Sequence, residues 1–496
     1  MLNIDFDKLK QLFLYNPGEP LMFSSGFFLF LFSGFIFIYV LLKKQNALRM
    51  LYVIVFSYYF YYKTSGGFFY LLAVVTIWDY YMGLSISSSK GKNARKFFLF
   101  LSVLGNLGLL CYFKYTNFVF ESICDFSGAT FKPFNIFLPI GISFFTFQSM
   151  SYTIDIYRRE IKPLNSILDY AFFVSFFPQL VAGPIVRAKD FIPQIHRPVL
   201  VTKSMFGTGV YLIATGLLKK AVISDYISIN FVDRIFDNPS LYSGIENLFG
   251  VYGYALQIYC DFSGYSDMAI GIALLLGFHF KDNFDSPYKS ATITEFWKRW
   301  HISLSSWLKD YLYIFALGGN RKGKIRTYIN IMITMLLGGL WHGASLRFVL
   351  WGGLHGITLV IHKIFLRLFP SFKSTGIRMK PFQRFLGILL TFHIVCFGWI
   401  FFRASSMESA VTMMRQIAMN FHPELFLELL KGYPYVFLLM FIGFVAHYLP
   451  QRWKRLGVKY TISMPLVFKV LLLVVVILII IQVKSAEIQP FIYFQF

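Results

Sequence analysis

The chain carries few charged side chains for its length. Only 14% of its 496 residues are Asp, Glu, Lys or Arg, whereas soluble globular domains contain about 25%. Hydrophobic residues make up 56% of the sequence and aromatic residues 20%. This shortage of charge excludes an ordinary water-soluble protein and indicates that most of the chain lies in lipid.

Cysteine is scarce as well. Four cysteines are scattered along the chain, at positions 111, 124, 260 and 396, and no CxxC pair or Cys/His spacing typical of zinc occurs. The sequence therefore predicts neither a disulfide framework nor a metal site. Walker A and G-x-S-x-G motifs are also absent, which argues against a P-loop nucleotide site and a serine-hydrolase elbow.

Acidic residues are the scarcer kind of charge: 24 Asp and Glu stand against 47 Lys and Arg, a net charge of +23. The sequence has no basic module interleaved with aromatic residues of the nucleic-acid-binding type. In membrane proteins, Lys and Arg collect in cytoplasmic loops and contact anionic lipid. We therefore expect membrane lipid as a partner and no nucleic acid.

Long uncharged runs predict a polytopic membrane protein, since a spanning helix needs about 20 mostly apolar residues. The predicted spans are 24–42, 49–62, 68–84, 97–113, 246–277, 328–341, 346–369, 384–402, 434–450 and 470–483. The first run lacks a basic start and a small-residue cleavage site, so we expect a retained span rather than a signal peptide. Because basic loops face the cytoplasm, loops 43–49 and 87–96 are predicted to be cytoplasmic and the N-terminus to lie outside.

Three segments do not fit simple spans. Residues 137–160 and 172–191 contain prolines and glycines inside apolar sequence, which predicts broken, re-entrant segments around an internal cavity. Their basic residues are expected on the cytoplasmic side. Residues 282–324 are polar, aromatic and basic. Within them, 295–312 alternates Trp and Leu with charged residues and predicts one amphipathic helix near the cytoplasmic face.

Polar residues inside apolar segments are the candidates for chemistry. His342 lies in "MLLGGLWHGAS", and an ionisable group at membrane depth usually faces a bundle interior or a cavity. In this position His342 fits either a general base or a core histidine that is hydrogen-bonded to a backbone carbonyl. His301 beside Lys298 and Arg299 fits either catalysis or a simple interfacial position. His355 and His362 lack further ligands for a metal, so we expect structural roles.

Two acidic residues, Asp261 and Asp267, lie in one apolar segment. They would line a polar path, pair with Lys or Arg, or orient a histidine, and the sequence leaves these alternatives open. An ion or proton pathway, as in a secondary transporter or channel, also fits broken helices with intramembrane carboxylates.

Five motifs in order give the chain a recognisable resemblance: "FFPQLVAGPIVR", "YALQIYCDFSGYSDMAIGIALLLGF", "FWKRWHISLSSWLKDYLYI", "LGGNRKG" and "LLGGLWHGAS", with "FGWIFFRA" further on. Over residues 138–362 the sequence resembles the membrane-bound O-acyltransferase (MBOAT) family, most closely its bacterial alginate O-acetylase branch. The loop "YIFALGGNR" departs from the usual family pattern by one extra residue and a missing proline.

The resemblance implies an all-α polytopic fold, a ring of about eleven transmembrane helices with re-entrant and amphipathic helices around a central tunnel. It implies N-terminal helices in 1–130, a catalytic core in 131–370 and C-terminal helices in 371–496, all in one integral membrane domain. The implied catalytic residues are His342 and His301, although other branches often have Asn at the second position.

The resemblance also implies the reaction. An acetyl group would pass from acetyl-CoA or another cytoplasmic acyl thioester, without a metal, for O-acetylation of an exported or cell-surface polysaccharide. A periplasmic or extracellular acetyl-transfer partner protein and a bacterial inner membrane are expected; D-alanyl transfer to teichoic acid is the alternative. Candidate donor-binding or tunnel-lining residues are Asp261, Asp267, Trp300, Trp341, Lys298, Arg299 and Arg321; the basic ones equally fit ordinary loop topology.

Overall fold

The computed structural model describes residues 6–370, 380–483 and 491, and these contain helices but no β-strand. The α-helices are α1 (Phe6–Phe13), α2 (Gly26–Leu41), α3 (Asn46–Ser65), α4 (Phe69–Ser88), α5 (Lys92–Leu110), α6 (Thr116–Ser127), α7 (Ile142–Tyr157), α8 (Ile167–Ser175), α9 (Phe177–Leu180), α10 (Ala188–Ile195), α11 (Lys203–Leu217), α12 (Asp225–Ile227), α13 (Asp233–Asp237), α14 (Gly244–Leu275), α15 (Ile293–Arg299), α16 (Ile302–Trp307), α17 (Lys324–His342), α18 (Leu346–Leu368), α19 (Pro381–Arg403), α20 (Met407–Met419), α21 (Phe426–Gly432), α22 (Pro434–Tyr448), α23 (Gln451–Ser463) and α24 (Leu466–Val483). Wider, π-helical turns occupy Cys111–Tyr115, Leu218–Ser224, Ser228–Val232 and Leu308–Ala316.

Each predicted apolar run falls on a helix. Within the described residues, seven helical stretches are long and apolar enough to cross a membrane, or up to eight if the pair Pro423–Gly432 and Pro434–Tyr448, bent by 99°, counts as one span. This makes the chain a multi-pass membrane protein with an all-α fold. The larger number of about eleven spans, which the resemblance implied, stays a prediction, as do the ring and tunnel.

The chain forms two compact units. Unit 1 consists of Met1–Gly209 and Met268–Lys281, and unit 2 of Val210–Asp267 and Asp282–Phe496. The division into 1–130, 131–370 and 371–496 stays a prediction, and residues 371–379, 484–490 and 492–496 of its last part lie outside the described residues. Every candidate site residue belongs to unit 2.

The predicted single amphipathic helix over 295–312 is wrong. Helix α15 ends at Arg299, and α16 begins at Ile302. Between them His301 adopts a left-handed backbone conformation with φ 43°. The Ile302 N–H donates to the carbonyl of Asn283, 2.8 Å away, so a tertiary hydrogen bond replaces the helical one and turns the chain.

Only one of the two proline-containing segments is broken. Pro139 and Gly141 precede α7, which then continues without interruption and is almost wholly buried. The predicted break there is wrong, because these residues mark the start of the helix rather than its interior. The second segment is broken as predicted: α8 ends at Ser175, α9 has only four residues, and 181–187 is not helical.

Helices α17 and α18 form a tightly packed hairpin whose crossing point consists of two glycines. A Cβ placed on Gly339 would lie 2.2 Å from the carbonyl oxygen of Phe348. A Cβ on Gly352 would lie 2.3 Å from the carbonyl oxygen of Met335. Both distances are far inside van der Waals contact, so only glycine allows the backbones to approach this closely.

We therefore expect Gly352→Ala to destabilise the folded protein by about 1–3 kcal/mol, the usual cost of overpacking. The neighbouring Gly353→Ala is the matched control, because its Cβ would meet only Leu336 at an ordinary 3.6 Å. Thermal unfolding of the two variants in detergent measures the difference. Equal melting temperatures would contradict the role given to Gly352.

Candidate active site

His342 is the last residue of α17 and points into protein rather than lipid. Only 3% of its surface is exposed. Its ring centroid lies 5.0 Å from that of Trp351 on α18 and 5.2 Å from that of Phe402 on α19. The imidazole therefore stands in an aromatic enclosure supplied by three helices of unit 2.

The sequence explains why α17 ends at this histidine. Gly343 adopts extended backbone geometry and terminates the helix, and a Cβ there would lie 2.0 Å from the ring of Phe348. Ser345 then caps the N-terminus of α18, because its hydroxyl accepts a hydrogen bond from the N–H of Arg347. The negative end of the α17 dipole thus lies beside His342, where it stabilises the positive charge that an imidazole gains on taking a proton.

His301 is fully buried at the break between α15 and α16. Its Nδ1 lies 3.2 Å from Oδ1 of Asn283. The backbone N–H of Ser303 donates to the same oxygen at 3.1 Å, and the Asn283 amide nitrogen donates to Ser266 at 3.1 Å. These two contacts fix which end of the Asn283 amide faces His301.

This arrangement defines the protonation state of His301. Because Oδ1 of Asn283 can only accept, Nδ1 of His301 carries the hydrogen, and Nε2 carries the lone pair. The segment lies outside the candidate spans, and burial lowers the pKa of His301 well below its ordinary value, so the ring is neutral near pH 7. The second motif histidine is therefore held as an oriented neutral base or hydrogen-bond acceptor.

One tryptophan contacts both histidines. The Trp341 ring centroid lies 5.0 Å from that of His342 and 6.0 Å from that of His301. The two imidazoles, 41 positions apart in sequence, thus pack against the same indole. The structure brings together three of the sequence-predicted residues, and a base, a second imidazole and an indole N–H in one place are suited to moving a proton during acyl transfer.

Trp300 precedes His301 in the chain but packs against other aromatic residues. It is 1% exposed, stacks on Phe296 at 5.6 Å and meets Trp399 at 5.0 Å. Trp300 is therefore packed within the aromatic core beside His301, and a part in donor binding stays a prediction.

Asp261 and Asp267 pair with lysines. Lys220 lies 2.7 Å from Asp261 and 2.8 Å from Asp225, while Lys219 lies 2.7 Å from Asp267. Both lysines belong to the π-helical turn Leu218–Ser224. The sequence left three roles open for these aspartates: lining a polar path, pairing with Lys or Arg, or orienting a histidine. The contacts among the described residues support pairing with lysine.

The Lys220–Asp261 pair is deeply buried, with side chains 4% and 3% exposed. We expect Lys220→Met to destabilise the protein by about 3–5 kcal/mol, because it leaves buried carboxylates without their cation. The control is Lys189→Met, which breaks the more exposed pair with Glu160 and should cost about 1 kcal/mol or less. Chemical or thermal unfolding distinguishes them, and equal losses would mean that Lys220 is not the compensating charge.

The three basic candidates differ in whether their side chains are accessible to an anionic ligand. Arg299 is engaged by two carboxylates, Glu295 at 3.0 Å and Asp285 at 3.1 Å. Lys298 and Arg321 are exposed, and Arg321 lies in a turn in which Gly318 and Gly319 have positive φ. Lys298 and Arg321 therefore remain accessible to an anionic ligand, whereas Arg299 mainly braces the segment that carries His301.

The remaining histidines of α18 occupy separate surroundings. His355 is fully buried among Trp297, Trp351 and Phe296, whereas His362 bonds to Thr294 at 2.8 Å. Among the residues that the structure describes, no three His, Cys, Asp or Glu side chains are grouped so as to hold a metal ion.

Asn283, Trp351 and Phe402 are site residues that sequence reasoning missed. Asn283 and Phe402 approach the two histidines from separate segments of the chain, and Trp351 approaches His342 across the α17–α18 hairpin, through contacts that sequence spacing does not encode. Phe402 lies within the motif "FGWIFFRA", and its place in the motif series could have indicated that it belongs to the site. Asn283 had no comparable signal, because one Asn in a polar segment has many possible roles.

The model of the membrane-bound O-acyltransferase (MBOAT) family matches residues 67–403, the region that carries both histidines and all the other candidates above. The chain belongs to this family. The resemblance drawn from the motifs is thereby confirmed, and this MBOAT protein is an enzyme, an O-acyltransferase of the membrane. Family membership therefore favours an enzyme over the secondary transporter or channel that the broken helices and intramembrane carboxylates also fitted.

Relatives of this MBOAT protein are bacterial. It is 42% identical over 402 residues to the probable alginate O-acetylase of Pseudomonas aeruginosa, covering 79% of this chain and 74% of the relative. It is 35% identical over 425 residues to the peptidoglycan O-acetyltransferase of Helicobacter pylori, covering 80% and 79%. The match to the teichoic acid D-alanyltransferase of Bacillus subtilis is 30% over 285 residues, covering 54% and 70%.

Proposed function

We propose that this enzyme transfers an acetyl group from a cytoplasmic thioester across a bacterial inner membrane for O-acetylation of an exported or cell-surface polysaccharide. The observation that supports it most is the pair of buried histidines that both pack against Trp341, in a chain similar over most of its length to relatives named O-acetylase and O-acetyltransferase. The shorter and weaker match to D-alanyltransferases favours acetyl over D-alanyl.

The reaction assigns a defined task to His342. As the acceptor hydroxyl attacks the thioester carbonyl, its proton passes to the imidazole of His342, a new C–O ester bond forms and the C–S bond breaks. The leaving thiolate takes up that proton from the His342 imidazolium and departs as free thiol, which restores the neutral base. The end of α17 stabilises the transient imidazolium, which assists proton removal when the bond forms.

His301 acts as the second imidazole. Because its Nδ1–H is committed to Asn283, its remaining nitrogen accepts rather than donates. In this role His301 orients the acceptor hydroxyl toward His342. The charge that develops on the carbonyl oxygen then needs a donor elsewhere, and we assign that to the indole N–H of Trp341 or a backbone N–H near Gly343.

The donor is acetyl-CoA or another acyl thioester, with Lys298 and Arg321 as candidate contacts for its phosphates. Arg299, Asp261 and Asp267 are engaged in ion pairs and Trp300 in aromatic packing, so we assign these four residues structural roles rather than donor contacts. The final ester on the polysaccharide is made with a periplasmic or extracellular partner protein that accepts the acetyl group.

The test is transfer of isotopically labelled acetyl from acetyl-CoA by the purified full-length protein in proteoliposomes, with D-alanyl thioester on a carrier protein as the competing donor. We expect the acetyl donor to be consumed, and label to appear on polysaccharide only when the partner protein is supplied on the opposite side. Use of the D-alanyl donor alone would favour the alternative. Consumption of neither donor would overturn the proposal.

A further inference from the structure

A partly polar cavity lies within unit 1. It measures about 240 Å³ and is bounded by α2, α3, α8 and the end of α10. Its walls include Val53, Phe172 and Phe278, all nearly fully buried, together with one buried cation and one buried acid. Loop 43–49, predicted to be cytoplasmic, contributes to it, as do Ile195 and His196.

The cation is Arg49, which is only 6% exposed. Its guanidinium donates to Asn46 Oδ1 at 3.0 Å and to the Lys43 carbonyl at 3.3 Å. The guanidinium also lies over the Tyr39 ring, 5.6 Å from its centroid. These contacts are all with neutral groups, and a buried guanidinium without an opposite charge is costly. Arg49 also lies in the first turn of α3, whose N-cap has no side-chain hydrogen bond and whose first turn has no acidic residue. The positive end of the helix dipole adds to the charge of Arg49 there.

The acid is Asp169, in the first turn of α8 and 7% exposed. Its Oδ2 lies 3.0 Å from Nε2 of His196, a side chain that is 65% exposed and so can move away. The cavity thus offers a site for an anion at Arg49 and a site for a cation at Asp169. A ligand with both charges satisfies it better than an anion alone.

The surroundings favour a lipid over a soluble metabolite. Helices α2 and α3, which contribute Tyr39, Met50 and Val53 to the cavity wall, belong to candidate membrane spans. A polar cavity between two such helices suits a lipid headgroup whose acyl chains remain in the bilayer.

We propose that this cavity binds the phosphoethanolamine headgroup of a membrane lipid. The phosphate diester lies on the guanidinium of Arg49 and the first turn of α3, and the primary ammonium lies on the carboxylate of Asp169 after His196 is displaced. The glycerol and acyl chains leave along the apolar wall. This proposal does not depend on the proposed acyl transfer.

The test is native mass spectrometry of the full-length protein exchanged into equimolar phosphatidylethanolamine, phosphatidylglycerol and phosphatidylcholine. We expect wild-type protein to retain phosphatidylethanolamine preferentially. Asp169→Asn should bind phospholipid but lose that preference, and Arg49→Met should lose about tenfold in retention. The exposed Arg455 gives the control Arg455→Met, which should behave as wild type.

Two results would overturn the proposal: an unchanged lipid ratio in Asp169→Asn, or displacement of the lipid by an equal concentration of free phosphoethanolamine, which would indicate a soluble ligand. If Arg49→Met fails to accumulate, Asp169→Asn still decides the matter, because it removes one charge without leaving a new buried cation. Acyl transfer measured on the same preparations reports folding separately.

Discussion

Replacing His342 by alanine is expected to lower the acyl-transfer rate by about 10²–10⁴-fold, the usual contribution of a positioned general base. The ring is enclosed by Trp341, Trp351 and Phe402, so no neighbouring water or side chain can easily take its place. The variant should fold, because alanine leaves α17 intact and removes only one ring from a large aromatic core. Rates of labelled acetyl transfer measured with purified protein test this.

The matched control is His279→Ala. His279 is also a histidine, but it is exposed and lies in unit 1. We expect it to retain full activity, whereas His342→Ala should show normal yield and melting temperature with lost turnover. A His342→Ala variant that keeps more than about a tenth of the rate would exclude this residue as the base.

Asn283→Leu is expected to give the second largest loss, roughly 10- to 100-fold in kcat with little change in KM. The variant removes the oxygen that accepts from both the Ser303 N–H and His301 Nδ1–H. The imidazole then loses its fixed orientation and tautomer. Asn283 acts only through His301 and is a positioning residue, so the kcat loss must be separated from a loss of folded protein.

Asn283→Asp provides that separation. An aspartate keeps the acceptor oxygen, so much of the activity should return. Its negative charge favours the protonated imidazolium and raises the pKa of His301, so the acid limb of the rate profile should move to higher pH. If Asn283 were merely structural, the Asp variant would leave the shape of the pH profile unchanged, and that result would contradict the assignment.

Much of the fold could be predicted from sequence because the signal for a membrane helix is local. The run 346–369 became α18 (Leu346–Leu368), and 384–402 became α19 (Pro381–Arg403), with boundaries within a few residues. The motif series also identified the family. Both kinds of information reside in consecutive residues.

The parts that sequence could not predict depend on tertiary contacts. The apolar alternation continues unbroken through Trp300 and His301, yet the carbonyl of Asn283 captures the Ile302 N–H and breaks the helix. Likewise the two aspartates of α14 had several possible partners, and folding of the turn Leu218–Ser224 brings the lysines to them. The pairing of His301 with Trp341 required the complete fold.

The left-handed turn at His301 limits which side chains can replace it without strain. Outside glycine, the side chains that adopt positive φ most readily are Asn, Asp and His, and His301 has φ 43°. A β-branched or bulky replacement would strain this corner of the backbone whatever acyl group is transferred. Asn is therefore the replacement that removes the imidazole and keeps the corner.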